Sequence, residues 1–160
     1  MIKIHSGYMK NVFNPDTFPR IIDSAFKTAE KIRNKHPYDS IAFCGMSGCA
    51  MAFILAHKMG LPMLCVRKQE TKSHFTNGGK FVEGNLSAEK YLIIDDFMAV
   101  GDTVRYIIKS IKNEVPVASC SAILLYSQRS NGEEHWRPDY DDKTKSIPRF
   151  GSKPEYIDEY

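Results

Sequence analysis

Apolar residues recur at helical spacing in three parts of the chain. Between residues 16 and 35, six apolar side chains fall on one helical face: Ile21, Ile22, Ala25, Phe26, Ala29 and Ile32. Asp16 is placed to cap this helix and Pro37 to end it. The run AMAFILAHKM, apolar on nearly all sides, predicts a buried helix that ends at Gly60. A third helix is predicted to open at Asp102 or Thr103, with Val104, Ile107, Ile108 and Ile111 facing inward.

Short apolar runs alternate with these helices and predict strands at residues 40–46, 63–66, 91–94 and 117–126. Strand and helix in alternation favour an α/β fold, in which a mostly parallel sheet is flanked by helices. The 160 residues suit a single domain spanning 1–160. Because such sheets bind ligands at the carboxyl ends of their strands, the segments after each strand are the informative ones.

Two regions show no period. Residues 67–89 are polar and contain three glycines, and a loop of this length is usually functional or a hairpin. After Tyr126 the chain turns polar, with Trp136 and several tyrosines but no regular pattern.

Composition narrows the functional classes. The net charge of +3 comes without a basic run, so nucleic acid is not expected as a partner. No apolar stretch reaches the roughly 18 residues of a membrane helix, and the first residues lack the apolar core of a signal peptide, so we expect a cytoplasmic protein. The four cysteines are scattered without metal-binding spacing, which favours small buried hydrophobic residues over ligands.

The segment YLIIDDFMAVGDTV combines two features that suit a sugar phosphate. A buried strand leads to Asp95 and Asp96, whose carboxylates can accept hydrogen bonds from sugar hydroxyls. A tight turn around Gly101 then opens a helix, whose first N–H groups can hold a phosphate. Thr103 adds a hydroxyl donor in the first turn. A generic crossover with a solvated acid pair is the simpler alternative.

This segment resembles the phosphoribosyl pyrophosphate (PRPP) motif of the type I phosphoribosyltransferases. The resemblance implies that Asp95 and Asp96 contact the ribose hydroxyls, and that the loop binds the 5′-phosphate through Ala99, Val100, Gly101, Asp102 and Thr103. Val100 stands where the family often has threonine, which removes one donor. Asp102 places a carboxylate near the phosphate, and Arg105 is positioned to offset it.

Two further segments follow strands in the order found in that family. The glycine turn in CGMSGCAMA corresponds to the pyrophosphate loop, which implies pyrophosphate contacts by Met46, Ser47, Gly48 and Cys49. The cationic segment after the second predicted strand resembles the mobile catalytic loop of orotate phosphoribosyltransferases. It carries Arg67, Lys68, Lys72, His74 and the pair Gly78–Gly79, and the resemblance implies pyrophosphate contacts by Arg67 and Lys68 as well. Compared with that loop, it has one extra residue between Lys68 and Lys72 and another between His74 and Gly78.

The chain ends match the family least. By resemblance, residues 38–126 form the core, and residues 1–37 and 127–160 supply a small hood over the base. SGYMKNVFNP is similar to the segment over the base site, and YSQRSNGEE to one whose arginine contacts the base, here Arg129. Trp136 or Tyr140 could stack on a base, although packing of a small lid is the commoner use of such aromatics.

The implied reaction is transfer of ribose 5-phosphate from PRPP to a nucleobase, with release of pyrophosphate. An orotate-like acceptor is favoured. Lys68, Lys72 and His74 would close over the site with Asp95 and Asp96 as the other catalytic residues. Mg²⁺ would be held mainly by the substrate, with the two aspartates as candidate ligands. The resemblance also implies a homodimer. The alternatives are a purine phosphoribosyltransferase of nucleotide salvage and a regulatory module that binds PRPP or a nucleotide without chemistry.

Overall fold

The computed structural model describes residues 2–7, 9–68, 81–139, 141–142, 144–155 and 157. Three helices and seven strands alternate along the chain. The helices are α1 Phe18–Lys35, α2 Gly45–Met59 and α3 Asp102–Glu114. The strands are β1 Ser40–Cys44, β2 Met63–Val66, β3 Val82–Gly84, β4 Lys90–Asp95, β5 Ser119–Arg129, β6 Glu134–Trp136 and β7 Ile147–Lys153.

The strands form one sheet in the order β3-β2-β1-β4-β5-β7-β6. The five inner strands are parallel to one another, and the two edge strands β3 and β6 are antiparallel to their neighbours. This is the predicted fold class. Strand order reverses direction between β1 and β4, and ligands bind open parallel sheets at such a point.

Helices cover both faces of the sheet. On one face α1 and α2 bury apolar side chains that include Ile21, Ile32 and Leu55 against alternate residues of β1, β4 and β5. On the other face α3 buries Val104 and Ile107 against the intervening strand residues. Because β1, β4 and the middle of β5 are covered on both faces, their residues there are apolar in a run instead of alternating with polar ones.

The chain ends belong to the core more than the sequence suggested. Helix α1, from the first 37 residues, packs on the sheet with Ala25 and Ala29 fully buried. Strands β6 and β7 extend the sheet instead of standing over it as a hood. The core therefore runs well beyond residues 38–126, because the apolar face of the sheet needs α1 to cover it.

Several predicted boundaries were wrong. Helix α1 begins at Phe18 with Thr17 at its N-cap, so Asp16 does not cap it. The first strand ends at Cys44 and not at residue 46, because α2 begins directly at Gly45. The polar stretch 67–89 contains the unpredicted strand β3, which pairs with β2.

Helix α3 holds both flanks of the cationic segment. The Tyr106 hydroxyl donates to the Arg67 carbonyl (2.6 Å) just after β2. Glu114, at the other end of the helix, accepts hydrogen bonds from the N–H groups of Phe81 (2.6 Å) and Val82 (3.3 Å). None of the helices that the structure describes is long and apolar enough to cross a membrane.

Candidate active site

A cavity of about 340 Å³, the main cavity, opens where β1 and β4 end. The segments after both strands reach it, as expected for the point where strand order reverses. Its lining comprises Cys44, Gly45, Met46, Ser47, Lys68, Asp95, Asp96 and residues 97–104. The predicted ribose, 5′-phosphate and pyrophosphate segments therefore meet in one place.

The acid pair lies at the end of β4 and is almost fully buried, with Asp95 6% and Asp96 7% exposed. The Ser47 hydroxyl and the Asp96 N–H both donate to Asp95 Oδ1, at 3.0 and 2.9 Å. Burial, with a smaller contribution from the Asp96 charge, raises the pKa of Asp95 to about 7. Ionising Asp95 therefore costs the folded protein more free energy than it costs the unfolded chain.

The backbone of Ser47 also accepts a hydrogen bond from a side chain in the core. The fully buried Tyr126 on β5 donates its hydroxyl hydrogen bond to the Ser47 carbonyl at 2.6 Å. This chain of contacts joins β5, the first turn of α2 and the carboxylate at the end of β4. Tyr126 was missing from the sequence-based site, because nothing in an apolar strand marks one tyrosine as a contact of a residue 79 positions away.

The predicted phosphate loop, residues 99–103, ends at the start of α3. Gly101 occupies the N-cap with φ +88°, a conformation that favours glycine. The first amides of α3 have no partner within the helix, and Asp102, Thr103 and Val104 line the cavity. Arg105 contacts Asp102 at 3.4 Å, as expected for a cation that offsets this acid.

The predicted pyrophosphate loop is the first turn of α2. Gly45, with φ +78°, turns the chain from β1 into the helix, and Met46 and Ser47 follow it at the cavity. Gly48 lies one turn inside the helix and serves packing, since a Cβ there would be 2.9 Å from the Ile94 carbonyl oxygen. The sequence CGMSG does not reveal which glycine makes the turn and which one packs inside the helix, so the sequence analysis named Gly48 and missed Gly45.

Two neighbouring cavities adjoin the start of the cationic segment. Lys68 lines both of them and lies beside Gly45. Arg67 and Cys49 line only the second cavity, of about 700 Å³, in which Arg67 pairs with Glu83 at 3.0 Å. Lys72 and His74 lie outside the described residues, so their catalytic roles stay predictions.

Two of the three base-binding candidates, Arg129 and Trp136, do not line the main cavity. Arg129 is exposed at the end of β5. Trp136 on β6 packs instead against the phosphate loop, where a Cβ on Gly101 would be 2.5 Å from its ring. Tyr140 lies outside the described residues.

The donor set fits magnesium held largely by a substrate. Among the described residues no group of three or more histidine, cysteine or acidic side chains could hold a metal ion by itself. Asp95 and Asp96 remain as two carboxylates at the cavity, and Mg²⁺ commonly combines one or two carboxylates with substrate phosphates.

Curated proteins with similar sequences are orotate phosphoribosyltransferases. That of Rhizobium leguminosarum bv. trifolii is 33% identical over 101 residues, which cover 60% of this chain and 44% of the relative. That of Sulfurisphaera tokodaii is 26% identical over 135 residues, 84% of this chain and 66% of the relative. The chain thus spans less than half the length of the Rhizobium relative. No family profile matches the chain.

Solved structures agree on the architecture. An adenine phosphoribosyltransferase has a TM-score of 0.60 at 16% identity, covering 89% of this chain and 84% of that one. The chain has the fold of the type I phosphoribosyltransferases. The structure of the orotate phosphoribosyltransferase of Francisella tularensis is also similar to that of this chain. Its TM-score is 0.57 at 18% identity, covering 89% of this chain and 68% of that one. The predicted fold class and the predicted resemblance to these enzymes are both confirmed.

Proposed function

We propose that this chain transfers the ribose 5-phosphate group of PRPP to a nucleobase nitrogen and releases pyrophosphate. One observation carries the proposal: an acid pair, two helix N-termini and Lys68 line a single cavity at the reversal of strand order. A sugar that carries a phosphate at one end and a diphosphate at the other has matching chemistry.

The acid pair suits the change in charge during the reaction. Breaking the bond at the anomeric carbon develops positive charge on the sugar, as in other glycosyl transfers. A nearby positive charge favours the ionised form of Asp95, whose pKa burial has raised to about 7. Asp95 would therefore interact more strongly with the transition state than with the substrate, which is the requirement for catalysis. Asp96 would share the ribose hydroxyls.

The two helix N-termini suit the two anionic ends of PRPP. The amides at the start of α3, with the Thr103 hydroxyl, would bind the 5′-phosphate. The first turn of α2, with Lys68, would bind the pyrophosphate as it leaves. The hydrogen bonds from Tyr126 to Ser47 and from Ser47 to Asp95 would fix the positions of the pyrophosphate-binding turn and the ribose-binding carboxylate relative to each other.

Magnesium belongs to the proposal. When bound, it supplies positive charge that offsets the charge developing on pyrophosphate. Asp95 and Asp96 are the residues of this chain that would hold it, together with substrate oxygens.

An orotate-like base is the favoured acceptor, because the curated relatives are orotate phosphoribosyltransferases. The proposal extends to nucleotide biosynthesis, a homodimer and a cytoplasmic location. Sedimentation and cell fractionation test the last two.

The direct test measures pyrophosphate release from PRPP and Mg²⁺ with orotate, uracil, adenine, hypoxanthine and guanine in parallel. We expect release with orotate, and its loss in the double variant Asp95→Asn, Asp96→Asn. The double variant Asp141→Asn, Asp142→Asn is a matched control, since it removes two acids that are also adjacent in the sequence but do not line the cavity.

Each outcome has a defined meaning. Pyrophosphate release with a purine alone would support the proposed reaction but show that the acceptor is a purine and not orotate. PRPP binding in calorimetry without release for any base would replace the enzyme by a PRPP-binding regulatory module. Unchanged release in the Asp95, Asp96 double variant would overturn the site.

A further inference from the structure

Trp136 contacts the phosphate loop at its most confined residue. A Cβ built on Gly101 would lie 2.5 Å from Trp136 Cζ2 and 3.0 Å from Cε2, so the indole ring lies directly against the glycine. The ring is partly buried in the apolar cluster beneath α3. It therefore covers the N-cap of α3 from the protein side, and any larger residue at position 101 would displace it.

Arg105 joins this ring to the loop. Its guanidinium lies over the Trp136 ring at 5.0 Å, which is cation–π distance. Nη1 donates to the Val100 carbonyl at 2.7 Å, and Nε donates to the Pro138 carbonyl at 2.9 Å. One side chain on α3 thus binds the loop before its helix and the segment that follows β6.

The segment after β6 has a fixed base. Strand β6 pairs with β7 in antiparallel register, and Arg149 forms a salt bridge with Glu134 across that pair at 2.9 Å. Strand β7 in turn pairs with β5 in the inner sheet. Trp136 is therefore fixed by the sheet on one side and contacts the loop on the other.

Neither Arg105 nor Trp136 lines the main cavity. They touch the loop and each other, so an effect on ligand binding would have to act through the loop. We infer that Arg105 and Trp136 form a latch, a pair of positioning residues that holds the phosphate loop in its binding conformation. This role replaces base stacking for Trp136, and its effect on catalysis rests on the proposed function.

A positioning role predicts a particular pattern in kinetics. The loop contacts the 5′-phosphate and not the base, so loosening it weakens PRPP binding selectively. We expect Arg105→Met and Trp136→Ala each to raise the KM for PRPP about tenfold, equivalent to about 1.4 kcal/mol. The KM for the base should change by less than about twofold, a difference of well under 1 kcal/mol. Lys109→Met, on an exposed position of the same helix, should leave both constants unchanged.

Charge and positioning are separated by two further variants. Arg105→Lys keeps the positive charge and loses the planar fork, so a latch predicts an intermediate KM, whereas simple charge attraction predicts a wild-type one. The double variant Arg105→Met, Trp136→Ala should be little worse than either single variant, because both remove the same latch. Additive losses, or a wild-type KM for Arg105→Lys, would overturn the inference.

A test without substrate makes the latch independent of the proposed function. Hydrogen exchange at the amides of residues 105–107, the first amides of α3 that can bond within the helix, should be faster in Arg105→Met and Trp136→Ala than in Lys109→Met. Trp136 is the chain's only tryptophan, so in Arg105→Met its emission should shift to the red and acrylamide should quench it more. Unchanged exchange at these amides would refute the latch even if the enzyme is active. Faster exchange would support it even if no base is accepted.

Discussion

Replacing Asp95 with asparagine is expected to stabilise the folded chain at alkaline pH while it removes turnover. The carboxyl is 6% exposed, and burial raises its pKa to about 7 from the ordinary value of 3.8. The folded protein therefore binds this proton more tightly than the unfolded chain. Its contribution to stability is greatest below pH 4, falls as pH rises from about 4 to about 7, and is constant above that range.

The magnitude follows from the pKa. Each pH unit between the two pKa values costs about 1.4 kcal/mol, so ionising Asp95 costs the wild type about 3 kcal/mol between pH 5 and pH 8.5. Asparagine has no charge to lose, and its carbonyl oxygen can still accept from the Ser47 hydroxyl and the Asp96 N–H. The stability of the variant relative to wild type should therefore increase by about 3 kcal/mol over that interval.

The assay is urea unfolding of both proteins at pH 5 and pH 8.5, followed by far-ultraviolet circular dichroism without ligand. Titrating groups that do not interact with Asp95 cancel when the two proteins are subtracted at each pH. Asp102→Asn serves as the control, because it removes a carboxylate at the same cavity whose side chain is 85% exposed. A difference between Asp95→Asn and wild type that is the same at both pH values would refute the reasoning, and so would one that shrinks.

The remaining predictions concern packing and hydrogen bonds. Gly84→Ala should destabilise the fold by about 2 kcal/mol or more in urea unfolding, because the φ of Gly84 is +118° and a Cβ would lie 2.0 Å from a carbonyl oxygen of β2. Gly7→Ala is the control and should be near neutral, because a Cβ there would meet no atom within 4 Å. Tyr126→Phe should cost about 1 kcal/mol by removing the hydrogen bond to Ser47 and should lower turnover, and an unchanged rate would show that this contact does not support the site. Glu114→Ala should cost about 1–3 kcal/mol and speed exchange of the two amides it accepts from, whereas Glu114→Gln should lose less; equal effects would contradict the hydrogen-bond account.

The centre of the fold and the phosphate loop were predictable because their signals are local. An apolar run ends in Asp95 and Asp96, and Gly101 and a helix with inward apolar residues follow it. These signals predict strand, turn and helix within about 20 consecutive residues. The structure keeps that order and adds only small shifts of the boundaries.

Strands β3, β6 and β7 were not predictable because their stability comes from the strands they pair with. Strand β7 reads IPRFGSK, with a proline, a glycine and two basic residues, which is a poor strand by composition. It forms because β5 offers a free edge, and Gly151 allows close approach there, since a Cβ would be 2.1 Å from the Arg129 carbonyl oxygen. The unusual pKa of Asp95 was equally hidden, because it depends on burial by residues far away in the sequence.

The two hydrogen-bonded flanks of the cationic segment bear on how this chain can vary. Tyr106 and Glu114 both lie on α3, so one helix holds the backbone at Arg67 and at Phe81. Both side chains bond to backbone atoms, so the two contacts do not depend on which side chains stand at positions 67 and 81. Substitutions at these two positions can therefore change the local charge while the chain stays attached to the helix whose first turn lines the cavity.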